Sequence, residues 1–413
     1  MKPMTRYSFW LAVGWILVLS LTPAGAQTSI RVQCPGDLNG DAVIDVPDPL
    51  HPRARCVHLT GGDGFVNMGD GRRLYMFGFS DVTGVAPENV MAAGMLAAEF
   101  PAPTIVVDEG DELYLTLTNV GMTIRPDLFD PHSVHWHGFP NASAIFDGQP
   151  DGAIAINMAA SLSYYYNVIE PGTYMYHCHV EATEHMQMGM LGNLYVRPAQ
   201  NRLPGGTPLR DGFVHQAGYT YVYDDGDGTT RYDVEVPIQI GSFDPNFHDA
   251  SELVQPLPFA FMKDLYPMLN GRGYPDTINP NQLMNTADEP RASQKVSSRV
   301  EARVGQKILL RISNLNVTNY YTLALLGLPM KVVGVSARLL RGPDPDGPGA
   351  LVGRNLYYDT LSLTLGGGES FDAIIDTTGV TPGTYFVYST NLNFLNNNEQ
   401  DLGGMMTEVV INP

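Results

Sequence analysis

Basic side chains are scarce in this chain. Its 24 lysines and arginines stand against 43 aspartates and glutamates, a formal net charge of −19. Such a surface repels nucleic acid and anionic membrane, so neither is an expected partner; cations and basic redox proteins are compatible with it. Long apolar runs are equally rare. The one candidate, Phe9 to about Leu21, is too short to favour a membrane span. It lies between the basic Lys2 and Arg6 and the small Ala24-Gly25-Ala26. That order is a secretory signal over residues 1–26, cut before Gln27. It implies an exported, soluble mature protein, periplasmic or extracellular.

Cysteine is nearly absent, with 3 in the chain. In an oxidising compartment two of them pair, and Cys34 with Cys56 is the local choice. Cys178 is then an odd thiol flanked by histidines, and metal ligation is its most direct use.

Helical periodicity is also missing. Gly 43, Pro 31 and Tyr 21, with many short Val/Ile/Thr/Tyr runs between turn residues, read as an all-β chain of sandwiches or barrels. Residues 27–62 form an acidic, turn-rich segment. Within it Asp37, Asn39, Asp41, Val43, Asp45 and Asp48 stand at the spacing of a calcium loop. Ala42 replaces the usual glycine and only one copy exists, so an acidic surface loop stapled by the disulfide is the competing reading. Residues 63–198 read as one β domain, 199–212 as a linker, and 213–413 as a second β domain. The two domains echo each other. Val304 to Asn314 repeats the pattern of Val107 to Asn119, and Pro382-Gly-Thr-Tyr385 repeats Pro171-Gly-Thr-Tyr174. Two copies of one β-sandwich are the simplest account.

Histidine is unevenly placed. Of 10 in the chain, six fall in two short runs: His132, His135 and His137, then His177, His179 and His185. The second domain holds His215 and His248, outside any motif. Side chains on a strand alternate between faces. His177 and His179 therefore point one way and Cys178 the other, while His135 and His137 share a face that His132 does not. If the strands pair, His132 joins Cys178 on one side, and four imidazoles gather on the other. His185 and Met190, from the following loop, can close over the first group. Two imidazoles, a thiolate and a thioether are the ligands of a blue-copper electron-transfer site. An all-imidazole group suits copper that activates a small oxygen species. A structural zinc needs one tetrahedron of ligands, not seven His/Cys side chains of consistent parity plus a methionine. Met186, Met188 and Trp136 read as packing, and Glu181 and Glu184 as a solvated loop able to dock a cationic donor.

These motifs resemble the multicopper oxidase family of laccases, ferroxidases and two-domain bacterial oxidases, over roughly residues 63–413. The resemblance implies two tandem cupredoxin-like Greek-key sandwiches. It matches His132, Cys178, His185 and Met190 to type 1 copper ligands, His135 to a type 2 ligand, and His137, His177 and His179 to type 3 ligands. It matches Asp147, in Asp147-Gly-Gln-Pro150, to an acidic residue that assists proton supply. The implied activity takes single electrons from a phenol, a reduced metal ion or a redox protein and reduces dioxygen. The family's full cluster uses two sets of four histidines, and this chain supplies one set. A homo-oligomer pairing two first domains across a two-fold axis would supply the rest. A copper nitrite-reductase-like enzyme and a non-enzymatic type 1 carrier are the alternatives. For the reductase, His135 stands where that family has an aspartate, and His179 is an extra.

Overall fold

The computed structural model describes residues 32–285, 290–342 and 353–413. The signal segment read from the sequence lies outside these residues.

The first sandwich has two four-stranded sheets. One runs β2 (Arg73–Asp81), β1 (Ala54–Asn67), β4 (Glu112–Gly121) and β6 (Ser161–Asn167). The other runs β3 (Ala102–Asp108), β8 (Leu191–Arg197), β7 (Gly172–His177) and β5 (His135–His137). β1 pairs in parallel with β4, and β3 with β8, so the chain crosses between sheets instead of meandering. Inward positions such as Leu113, Leu115, Leu117, Tyr164 and Tyr166 alternate along β4 and β6 and fill the core. Trp136 is part of it, stacked on Tyr166 at 3.8 Å.

β1 straddles the 62/63 boundary expected between the acidic segment and the first β domain. Gly61, Gly62 and Gly64 all lie inside the strand. Their reason is close approach. A Cβ on Gly62 would sit 2.6 Å from Val120 Cγ2, and one on Gly61 would sit 3.0 Å from His132 Cδ2. Cys56, at the start of the strand, is bonded to Cys34, which staples the N-terminal segment to this sheet.

The second sandwich repeats the plan. Its central strands are β9 (Val234–Phe243), β10 (Lys307–Asn314), β11 (Tyr321–Leu325), β12 (Glu369–Asp376), β13 (Gly383–Ser389) and β14 (Met406–Asn412). β9, β10 and β12 lie side by side in one sheet; β14, β13 and β11 lie side by side in the other. The register exposes the duplication. His135 pairs with His177 between β5 and β7, and Ala324 pairs with Tyr388 between β11 and β13.

The two sandwiches are fused. Met68, Met76, Phe100, Met175 and Leu191 share one apolar cluster with Phe243, Tyr266, Met268 and Leu315. Beside it Thr173 donates to Asp372 Oδ1 at 2.5 Å, Ser370 donates to the Thr173 carbonyl at 2.7 Å, and Ser313 donates to Asn193 Oδ1 at 2.7 Å. Arg311 is fully buried between Glu235 and Asp372. This junction fixes what the second sandwich presents to the histidines of the first.

Candidate metal centre

His132, Cys178 and His185 place ligand atoms within 4.8 Å of one another, and all three are buried. His132 enters from a bridge to Ile156, whose carbonyl accepts its backbone N–H at 3.0 Å. Cys178 follows directly on β7. The chain then turns through Glu181, which adopts a left-handed φ of 45°, into the short helix Ala182–Gln187 that carries His185 inward. Met190 returns antiparallel to Cys178, whose N–H donates to the Met190 carbonyl at 3.1 Å. Gly61 gives the group room, because a Cβ there would lie against both the His132 ring and Met190 Cε.

Within this group His185 Nδ1 is 3.1 Å from Cys178 Sγ, and the Ser133 N–H points at the same sulfur from 3.5 Å. Both ring nitrogens of His132 and the Nε2 of His185 are buried without a hydrogen-bond partner. An orphaned buried polar atom costs about 1–3 kcal/mol, so three in one pocket need an explanation. Burial holds the His185 imidazole down at about 4 and His132 well below its ordinary value, so both are neutral with lone pairs available. Burial pushes the Cys178 thiol up to about 12, and a cation beside it is what would let the thiolate form. Two neutral imidazoles, a thiol and a nearby thioether suit copper.

The second group is His135, His137 and His177, again within 4.8 Å. His135 Nδ1–H donates to the Asp147 carbonyl at 2.6 Å, and His177 Nδ1–H donates to the Cys178 carbonyl at 2.8 Å. Each bond fixes a tautomer and leaves Nε2 bare, the arrangement in which histidine ligates metal. Burial lowers His177 to about 3 and lowers His135 and His137 as well. His179 is outside the trio, on the rim, with its ring 5.0 Å from that of His135. Asp147 acts here chiefly through its backbone carbonyl, and its carboxylate stands 3.5 Å from His135 Nδ1.

Sequence reading missed Asp130, Ser133 and the second sandwich's contribution. Asp130 Oδ2 lies 3.9 Å from His185 Nε2 and lines a cavity of about 330 Å³ with Glu181, Glu184 and Leu257. Burial, then Asp130 and Glu181, lift the Glu184 carboxyl to about 7. Asp130 lies in the irregular segment just before His132, where strand alternation gives no signal.

The N-terminal acidic loop behaves differently. Asp37 Oδ1 accepts from Asn39 and Gly40, Asp41 Oδ1 from Val43, Asp45 Oδ2 from Leu38 and Asp48 Oδ1 from Leu50. Ala42 takes φ 67° where the loop wants glycine. Among the described residues, the two groups of converging His, Cys, Asp or Glu ligand atoms are the histidine sites, and this loop is neither. Also among them, no helix is long and apolar enough to cross a membrane.

Two multicopper oxidase family models match the chain, at residues 83–201 and 260–410. Multicopper oxidase MCE of Talaromyces pinophilus is 31% identical over 110 residues, 25% of this chain and 16% of that protein. Laccase-8 of Oryza sativa subsp. japonica is 24% identical over 298 residues, 70% of this chain and 42% of that protein. The chain thus spans less than half the length of either relative. Among solved structures, blue copper oxidase from Nitrosomonas europaea superposes with a TM-score of 0.60 at 19% identity, over 87% of this chain and 86% of that one.

Proposed function

This chain belongs to the multicopper oxidase family, and on that premise we propose that it is an exported copper-dependent oxidoreductase that takes electrons singly from a reduced donor and delivers them to dioxygen. The observation that carries this reading is the adjacency of two histidine sites joined by the covalent run His177-Cys178-His179. Copper bound at both sites supplies the one-electron redox chemistry.

The residues divide the remaining work. His132, Cys178, His185 and Met190 would hold type 1 copper, and their burial excludes water from it. His135, His137 and His177 would hold copper at the second site, with His179 on its rim. His185 reaches toward the donor side, where the Asp130 and Glu181 carboxylates, beside an Arg125 already paired with Asp127, favour a cationic donor over an anionic one. Asp147 orients His135 through its carbonyl and stands where it can pass a proton into the imidazole cleft.

Copper reconstitution followed by oxygen uptake tests the reading. Strong thiolate-to-copper absorption and donor-dependent oxygen consumption are expected. Reconstituted protein that reduces nitrite but not dioxygen would overturn it in favour of the reductase, and blue protein that reduces neither would leave an electron carrier.

A further inference from the structure

The four imidazoles open into a cavity of about 460 Å³ whose far wall is this chain's own second sandwich. That wall is Leu315–Val317 with Gly367 and Gly368, the last two residues of the turn Gly366-Gly367-Gly368. Three consecutive glycines in a tight turn have three separate reasons here. A Cβ on Gly366 would sit 2.5 Å from Tyr320 Cε1, and one on Gly367 would sit 2.3 Å from the Asn316 carbonyl oxygen. One on Gly368 would sit 2.6 Å from His137 Nε2. Gly368 also has φ +90°, a conformation that side chains rarely adopt.

The turn is braced. The Gly368 N–H donates to the Asn314 carbonyl at 2.8 Å, Asn314 Nδ2 donates to the Leu365 carbonyl at 2.9 Å, and the Gly366 N–H donates to Glu369 Oε2 at 2.6 Å. The fused apolar junction then holds the whole wall against the first sandwich. What the wall turns toward the imidazoles is backbone and the Asn316 amide, which is already bonded to Ser242 and Asn314, with no imidazole, thiol or carboxylate among its lining residues. The positions that duplicate His135 and His177 are Ala324 and Tyr388, which supply no imidazole.

We propose that the imidazole site is a one-copper site completed within a single chain, with the Gly366–Gly368 turn as its closing wall, in place of a cluster completed by a second copy. This rests on the copper oxidoreductase reading above. The ion would take His135, His137 and His177 from one side and leave the side toward Asn316 open for a small substrate. Gly368 is a positioning residue: a side chain there would fill the space against His137.

The test is copper per chain and electron spin resonance on reconstituted full-length protein, with mass by light scattering on the same sample. Two coppers per chain, one of type 1 and one of type 2 character, both spin-visible and unchanged on dilution to monomer, are expected. More than two per chain, a spin-silent coupled pair, or a second copper that appears only in an oligomer would overturn the inference while leaving the oxidoreductase reading intact. Absent type 1 absorption would overturn the reading itself. Gly368→Leu is expected to abolish the type 2 signal and keep type 1. As a control for folding, His137→Ala should do the same without crowding the wall; retention of both coppers in both variants would also overturn the proposal.

Discussion

His135 and His177 face each other across β5 and β7 with rings 5.2 Å apart, each held by an Nδ1–H bond to a main-chain carbonyl. Because the bracing acceptors are backbone oxygens, most side-chain substitutions nearby will leave these tautomers in place. The ligands themselves are therefore the sensitive positions.

His177→Ala should lose the second copper and keep type 1 absorption. His179→Ala, on the rim, should lower second-site affinity by less than about tenfold, below the 10- to 100-fold range typical of lost orienting groups. Metal titration of the two variants checks this; equal losses would place His179 among the ligands.

Cys178→Ser should remove the intense blue absorption and leave far-ultraviolet circular dichroism unchanged. The sulfur is buried in a packed core, and serine is close to it in size.

Asp147→Asn keeps the carbonyl that orients His135 but removes the carboxylate. Oxygen consumption should fall by about 100-fold or more, the range for a lost proton-transfer group, with copper content unchanged and an altered pH profile. An unchanged rate would reduce Asp147 to a main-chain role.

Burial, then a hydrogen bond with Glu109, lifts the Asp224 carboxyl to about 7. A carboxyl whose folded value is raised favours the folded state most when both states are protonated. Its contribution therefore disappears between about pH 4, the unfolded value, and pH 7. Asp224→Asn can still accept the Gln200 N–H that the aspartate now takes. Its Tm should fall less than that of the natural protein over this window in thermal melts.

Much of the metal chemistry was legible because strand alternation is a local rule. Given that the strands pair, alternation put His132 with Cys178 and gathered His135, His137, His177 and His179 on the other face; the structure brings the first three of those four within ligand distance and leaves His179 on the rim. The missing histidines of the second sandwich were legible for the same reason, through its repeated Pro-Gly-Thr-Tyr. The wall was not. That Gly368 packs on His137 depends on how two sandwiches dock, and the docking rests on Met68, Met175, Phe243 and Met268, which carry no pattern beyond being apolar. The close approach of Gly61 to His132 and of Gly62 to Val120 was hidden as well, because a glycine in the sequence does not say which residue it must admit. The acidic loop meets the spacing of a calcium loop, and in the structure its carboxylate oxygens accept backbone N–H groups within the loop.

The buried Arg311, tied to Glu235 of its own sandwich and to the Thr173 hydroxyl of the other, has a consequence for how the molecule melts. Pulling the sandwiches apart would expose the methionine-rich junction and break the Arg311–Thr173 and Thr173–Asp372 hydrogen bonds in one motion. Neither half can then open far ahead of the other. Calorimetry should show one cooperative transition for the pair, and copper bound solely in the first half should raise the melting point of the metal-free second half with it.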